Sequence, residues 1–292
     1  MASPTEIAQY RAEMAELLEK AIATTRELER WLDVTGGWVE ATEQIDLDAD
    51  PTATFRIVGA LLLRKARLHT VAVLRANETS NLHSLAVQMR PVLECAGQVV
   101  FIFHNLMIAP GFTMEPERAM DLVGDHLNAD YYGTMIAATK GQVGHQELLE
   151  QISGAMEKAA ALDGLPKPKM RKGRSLKQAD KVATLRGGTS WYNYVSEYFC
   201  HGRADWVGYS WSGGVVSMDL APDVFAFASL MDYLVGQVAV MNAHAALCPV
   251  AGDGGWGRVE AMLAQLREVR ETSKAARDAA VLAFTSGGAT ED

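Results

Sequence analysis

The chain has 292 residues, of which 49% are hydrophobic, and a formal net charge of −9 at pH 7. This length and composition are sufficient for a sizeable core. The acidic balance argues against a protein dedicated to duplex DNA, because such proteins usually carry a strongly basic binding surface.

Cysteine usage and hydropathy predict a cytoplasmic protein. The three cysteines, Cys95, Cys200 and Cys248, are widely spaced and form neither a metal-binding motif nor a disulfide framework. The polar N-terminal stretch has no secretory hydrophobic region. Two long apolar stretches, 92–108 and 224–247, contain ionisable residues that are costly in lipid, so we expect buried core helices and no membrane contact.

The first predicted element is a long amphipathic helix over residues 3–35. Ser3 is a suitable N-cap, Pro4 suits the first helical position, and Glu6 completes a capping box. Apolar residues then recur every three or four positions. An acidic connector separates this helix from the next one.

A second helix over residues 54–76 and a central helix over residues 81–110 follow. The cluster Thr79-Ser80-Asn81 is predicted to end the former and to cap the latter. The central helix has a broad apolar face and a narrower stripe that carries His83, Arg90, Glu94, Phe101 and His104. We expect these charges to be held against other helices, and we expect Pro91 to kink the helix or remove a backbone hydrogen bond.

Helical patterns continue over residues 117–139 and 146–162, on both sides of Gly187-Gly188, and through an apolar helix that ends near Leu247. No strand alternation of any length is present. We therefore predict one all-α domain over residues 1–292 with about eight to nine helices: an N-terminal helix (3–35), a helical core (54–247) and a C-terminal helix (256–284). The heptad-like terminal helices are candidates to pair with each other or across a homodimer.

A basic segment interrupts this acidic chain. Its cationic side chains include Lys167, Lys169, Arg171, Lys172 and Arg174, and Asp180 is the one acid in the stretch LPKPKMRKGRSLKQADK. Two interpretations remain open. The segment is either a solvated loop or a patch that contacts the phosphates of RNA or of a nucleotide.

Several short motifs match a known functional pattern but lack the structural context that the function needs. Residues 252–257 fit the GxGxxG spacing but follow a helix instead of a strand, which argues against a dinucleotide site. Glu197 and His201 are one turn apart, but no second motif completes a metal site, and we predict neither a cofactor nor a metal. Arg64 and His69 have the Arg-x4-His spacing of helical ribonucleases, yet on a regular helix their side chains are about 140° apart.

Two distant segments carry the most informative pattern. Arg90-Pro91-x-x-Glu94 lies in the central helix, and Tyr194-x-Ser196-x4-His201-Gly202 follows about a hundred residues later. This combination resembles a widespread family of uncharacterised all-helical bacterial proteins, over roughly residues 61–202. That family in turn resembles the HEPN superfamily of helical bundles, which includes metal-independent ribonucleases of toxin and defence systems as well as catalytically inactive binding modules.

The resemblance implies that Arg90, Glu94, Tyr194 and His201 converge between two helices. Arg90 would hold a phosphate or pair with Glu94, and His201 would be the group that titrates near neutral pH. The predicted function is a HEPN-like module that binds RNA or a nucleotide and cleaves RNA if His201 is catalytic. The alternative is a non-enzymatic scaffold or partner-binding protein in which these four side chains form a buried structural network.

Overall fold

The computed structural model describes residues 4–33, 53–102, 181–200, 211–212, 215–216 and 224–246, with residues 144, 146–147, 150, 260, 264, 267–268 and 271–272. The helices are α1 (Pro4–Leu32), α2 (Ala53–Glu78), α3 (Leu82–Val100), α4 (Gly188–Val195), which continues into a π-helical segment (Ser196–Cys200), and α5 (Val224–Ala246). The all-α class is confirmed for this part of the chain. The count of eight to nine helices and the HEPN-like core remain predictions.

The first three helices begin within one residue of the predicted positions, while the predicted end of the central helix at residue 110 lies outside the described residues. The Asn81 side chain caps α3 by accepting a hydrogen bond from the Ser84 amide at 2.9 Å, as the Thr79-Ser80-Asn81 cluster predicted. The Arg11 side chain of α1 donates to the carbonyl and the side chain of Asn77, where the last carbonyls of α2 carry partial negative charge. The α2–α3 turn is therefore fixed to α1.

The central helix is the most buried element. From Leu82 to Val100, α3 packs against α2, α5 and the segment 188–200, while α1 packs against α2 and α5. The predicted apolar face of α3 is buried as expected, and near its C-terminal end even Gly97 and Gln98 are buried. The helix continues through Pro91. Because α3 is surrounded, its few polar side chains must find partners on neighbouring helices.

Two polar clusters fix α1 against its neighbours. Asn242 of α5 is completely buried; it accepts a hydrogen bond from Thr25 Oγ1 at 3.0 Å and donates to the Ala21 carbonyl at 3.1 Å. On the α2 side, the buried carboxylate of Glu29 accepts from Arg64 Nε at 2.6 Å and from Arg67 Nε at 2.7 Å. Buried polar groups that are satisfied in this way specify the register between helices.

A two-residue antiparallel pair, β1 (Trp211–Ser212) and β2 (Val215–Val216), lies between α4 and α5 in a tract rich in Gly, Ser and Trp. The Gly-Gly between these strands is a hairpin signal, but strands this short show no alternation from which they could be predicted. None of the helices that the structure describes is long and apolar enough to cross a bilayer.

The remaining predicted elements are described only in part. Residues 146–147 and 150 are helical within the predicted helix 146–162, and residues 260, 264, 267–268 and 271–272 are helical within the predicted helix 256–284. Glu268 and Thr272 line a cleft of about 360 Å³ together with residues of α1 such as Leu17 and Glu27, so the terminal helices lie close together in one chain. The predicted helix 117–139 and the basic segment lie outside the described residues.

Candidate functional site

Close backbone packing brings the segment 181–200 against α3. A Cβ atom at Gly97 would lie 2.6 Å from the Lys181 carbonyl oxygen, so only glycine permits this approach. Gly187 has a φ of 70° and caps α4, and a side chain on Gly188 would collide with the Val182 backbone. Three glycines therefore determine where α4 begins and how near it lies to the central helix.

The narrow polar stripe of α3 faces α4. Arg90 Nη2 donates to Tyr192 Oη at 2.6 Å, and Tyr192 Oη donates to Glu94 Oε1 at 2.9 Å. The Arg90 guanidinium carbon also lies 4.8 Å from the centroid of the Tyr192 ring. The phenol thus connects a cation and an anion one helical turn apart, and we name these three side chains the Arg90–Tyr192–Glu94 network.

The network is held in defined charge states. Burial raises the pKa of Tyr192, and Glu94 acts in the same direction, although Arg90 lowers it, so the phenol keeps its proton at neutral pH. Burial by itself lowers the pKa of Arg90, but hydrogen bonds and charge interactions with Tyr192 and Cys200 together outweigh burial, and the net pKa is raised. Arg90 is therefore a permanent cation, and Tyr192 serves as a hydrogen-bond donor to Glu94.

The π-helical segment adds a thiol to this site. Ser196 Oγ donates to the Tyr192 carbonyl at 2.6 Å at the start of the wider turn. The turn ends at Cys200, which lies near Arg90: burial raises the pKa of its thiol, and the guanidinium acts in the opposite direction. Single π-helical turns are frequent at functional sites because they re-aim side chains that a regular helix would direct elsewhere.

A continuous series of aromatic rings borders the network. Trp191 stacks on Tyr233 with centroids 4.9 Å apart and meets Tyr194 edge-on at 5.8 Å. Tyr194 meets Phe199 at 5.6 Å, and Phe199 meets His83 of α3 at 5.6 Å. On the narrower polar stripe of α3, His83, Arg90 and Glu94 therefore contact α4 or the π-helical segment, whereas His104 lies outside the described residues.

The structure brings together part of the predicted site. Arg90 and Glu94 meet a tyrosine from the distant segment, as predicted, but the hydroxyl between them belongs to Tyr192, whereas the prediction named Tyr194. The family pattern pointed to Tyr194, whose ring contacts Trp191 and Phe199. In the sequence, the only indication that Tyr192 belongs to the site was its position in the same predicted helix as Tyr194. His201 lies outside the described residues.

The Arg-x4-His pair does not converge. Arg64 donates to Glu29 of α1, whereas Nδ1 of His69 lies 2.8 Å from Gln88 Oε1 of α3. The two side chains thus contact different helices, in agreement with their angular separation on α2. Arg64 and His69 therefore do not form a catalytic pair on α2.

Among the residues that the structure describes, no group of three or more His, Cys, Asp or Glu side chains is arranged to hold a metal ion. Comparisons of the chain with protein-family models, with curated proteins and with solved structures gave no match. Of the described residues, those of the Arg90–Tyr192–Glu94 network have the most distinctive chemistry.

Proposed function

We propose that this helical protein is a HEPN-like module that binds RNA or a nucleotide, with Arg90 as the group that contacts a phosphate. The observation that carries the proposal is the unused capacity of the Arg90 guanidinium. Its Nη2 donates to Tyr192, but its Nε is buried and has no hydrogen-bond partner among the described residues. Buried donors without partners are rare in folded proteins and are found where a ligand or water completes the site.

A second arginine cluster in the same chain provides the comparison. Glu29 holds Arg64 and Arg67 directly, with N–O distances of 2.6 and 2.7 Å, as expected of a cluster whose role is structural. Within the described part of the chain, Arg90 has no direct ion pair with a carboxylate, since Tyr192 stands between it and Glu94. A guanidinium that keeps its charge and some of its donors suits bidentate recognition of a phosphate.

The basic segment and His201 supply the remaining parts of the proposal. Lys167, Lys169, Arg171, Lys172 and Arg174 precede Lys181, whose backbone packs on the central helix at Gly97. Their charges would contact further phosphates of an RNA strand. His201 directly follows Cys200 and would act as the general acid or base if the bound RNA is cleaved.

Fluorescence anisotropy with a labelled single-stranded RNA and with a labelled nucleotide tests the proposal. Arg90→Gln should weaken binding by about tenfold or more, since a hydrogen bond to a charged group is worth roughly 1.5–3 kcal/mol. Arg75→Gln removes an equal charge from an exposed position of α2 and should leave the affinity unchanged. A folded Arg90→Gln protein with wild-type affinity, or a wild type that binds neither probe, would refute the proposal.

Two further variants separate binding from catalysis. Neutralising the five cationic residues of the basic segment should weaken RNA binding and reduce its dependence on salt. His201→Ala should retain binding and abolish any RNA cleavage that the wild type shows in the presence of a chelator. If the wild type binds RNA without cleaving it, the protein is a binding module and the ribonuclease part of the proposal is wrong.

A non-enzymatic scaffold is the second candidate, because Tyr192 is only 9% exposed and its hydroxyl both donates and accepts. In that role, Arg90→Ala should mainly lower the melting temperature, and the same change should leave every ligand measurement untouched. An unchanged melting temperature would exclude the scaffold role.

The homodimer predicted from the heptad-like helices is also part of the proposal. Its support is the 3–4 spacing of apolar residues in the N- and C-terminal helices. Light scattering coupled to size-exclusion chromatography should give a mass near twice that of the 31.7 kDa chain. A monomer mass at all protein concentrations would exclude it.

A further inference from the structure

His83 is an exposed aromatic side chain on the same side of α3 as Arg90. The two residues are seven positions apart, which is about two helical turns, or roughly 10 Å along the helix axis. The hydrogen bonds of the Arg90–Tyr192–Glu94 network do not involve the His83 imidazole. This exposed ring therefore lies beside the candidate phosphate site without being part of the cross-link between α3 and α4.

One neighbouring ring holds the imidazole. The centroid of the Phe199 ring lies 5.6 Å from that of His83, and the two planes meet at 73°. Within the described part of the chain, this is the one ring contact that His83 makes. Because an edge-to-face pair covers at most one face of each ring, at least one face of His83 has no described ring stacked on it.

The other end of the aromatic series is arranged differently. Trp191 and Tyr233 are stacked with their planes 20° apart, so each covers a face of the other. His83 is exposed, whereas Trp191 is half-buried. Of the rings in this series, His83 is therefore the one best placed to stack on an aromatic group of a ligand.

The π-helical segment joins His83 and Arg90 into one surface. Phe199 contacts His83, and the next residue, Cys200, lies near the Arg90 guanidinium. Both residues of the π-helical segment are half-buried, so they border the surface between the two side chains of α3. A ligand that reaches from Arg90 to His83 along this border would have about the length of one nucleotide.

The chemistry of the two ends differs. Arg90 offers a cation whose buried Nε has no hydrogen-bond partner among the described residues, which suits a phosphate. His83 offers the face of an aromatic ring, which suits a nucleobase. Inorganic phosphate would use the first end alone. The bases of a duplex are stacked on one another, so a base needs to be unpaired to offer its face to a side chain.

We propose that the ligand of this site is an unpaired nucleotide, free or within single-stranded RNA, whose phosphate binds Arg90 while its base stacks on His83. The inference rests on the function proposed above and names the ligand class. Phe199 is a positioning residue, because its edge contact orients the imidazole. Every base has a π face, so stacking of this kind tolerates all four bases.

The first test changes the ring. In fluorescence anisotropy with a labelled single-stranded RNA, His83→Ala should weaken binding by about fivefold or more, the lower bound for the stacking of one base on an aromatic side chain. His83→Tyr keeps an aromatic face and should bind nearly as tightly as the wild type. The control Gln9→Ala removes an exposed, uncharged side chain from α1 and should leave the affinity unchanged.

The second test changes the ligand. An unlabelled single strand should displace the labelled strand at a lower concentration than the same strand annealed to its complement, or a ribose-phosphate strand of equal length without bases. Arg90→Gln should weaken binding of the strand without bases, whereas His83→Ala should not. A labelled mononucleotide that loses affinity with both variants would identify the free nucleotide as a sufficient ligand, and binding of the strand alone would identify RNA.

The outcomes separate the two proposals. A wild type that binds neither RNA nor a nucleotide overturns the proposed function and the stacking contact with it. If RNA binding depends on Arg90 but is equal in the wild type and in folded His83→Ala, the stacking contact alone is overturned. The same conclusion follows if His83→Tyr binds as weakly as His83→Ala, or if the strand without bases binds as tightly as the normal strand.

Discussion

At the scale of single residues, Tyr192 is the side chain on which the candidate site depends. Its hydroxyl accepts a hydrogen bond from Arg90 and donates one to Glu94, so one oxygen atom joins two helices and two opposite charges. Neither charged group is fully buried, and water can reach part of each. The network therefore combines a structural cross-link with a guanidinium that still has hydrogen-bonding capacity.

Replacing Tyr192 by phenylalanine isolates this role. Tyr192→Phe keeps the ring but leaves Arg90 and Glu94 with one hydrogen bond fewer each, and we expect a loss of about 1–2 kcal/mol in the free energy of unfolding. Tyr233→Phe, which keeps the stacking on Trp191 and loses one exposed 3.3 Å hydrogen bond to the Arg186 carbonyl, should cost less. Urea denaturation of both proteins measures the difference. Equal losses would show that the hydroxyl of Tyr192 has no special part.

Glu29 predicts how stability depends on pH. Burial raises the pKa of this carboxyl, but hydrogen bonds and charge from Arg67 and Arg64 outweigh burial, so its pKa lies below the ordinary value of 4.5. A lowered pKa means that the carboxylate stabilises the fold above its unfolded-state pKa and that this contribution is lost as the pH falls through the lowered value.

The corresponding variant is Glu29→Gln. It should lower the free energy of unfolding at pH 7 by about 3 kcal/mol. This value is the low end of the range for a broken buried ion pair, because both arginines retain some solvent contact. Its stability should also change less than that of the wild type between pH 6 and pH 3, roughly the range over which a lowered carboxyl pKa acts. Glu16→Gln, at an exposed pair with Lys20, should follow the wild-type profile. Parallel curves for wild type and Glu29→Gln would contradict this assignment.

At the scale of elements, the distance between α3 and the segment 181–200 is set by a glycine. A methyl group at Gly97 would collide with the Lys181 carbonyl, and backbone atoms on both sides leave little room for adjustment. The contact matters for the site because α4, which carries Tyr192, follows directly in the chain.

Two glycine substitutions should therefore have opposite effects. Gly97→Ala should lower the free energy of unfolding by about 1–3 kcal/mol through overpacking, and it should weaken ligand binding at Arg90 because α4 shifts. Gly236→Ala places a methyl group in open space on α5 and should raise stability by up to about 1 kcal/mol through helix propensity. Thermal melts with circular dichroism compare them. A neutral Gly97→Ala would show that the helices separate without cost.

The long helices could be predicted from sequence because periodicity and caps act locally. The 3–4 repeat of α1, the limits of α2 and the Asn81 cap of α3 follow from side chains a few residues apart. The π-helical turn after Val195 and the two-residue strands could not be predicted in this way. Neither leaves a periodic pattern in so few residues.

At the scale of the whole molecule, association should be visible as added stability. A dimer that forms only from folded chains is stabilised by mass action, so its melting temperature should rise with protein concentration. Scanning calorimetry over a wide range of protein concentrations measures this dependence, and a wild-type melting temperature that stays constant would argue against association.

The sequence by itself determined the helical class, the burial of the central helix and the presence of Arg90 and Glu94 on a polar stripe facing other helices. These properties follow from the spacing of residues along one helix, which the chain states directly. Only the tertiary structure decided that Tyr192 and not Tyr194 joins the two charges and that Arg64 and His69 contact different helices. Each of these depends on the rotation and distance of one helix relative to another. Packing contacts such as Gly97 against Lys181 fix that rotation and distance, and local sequence does not.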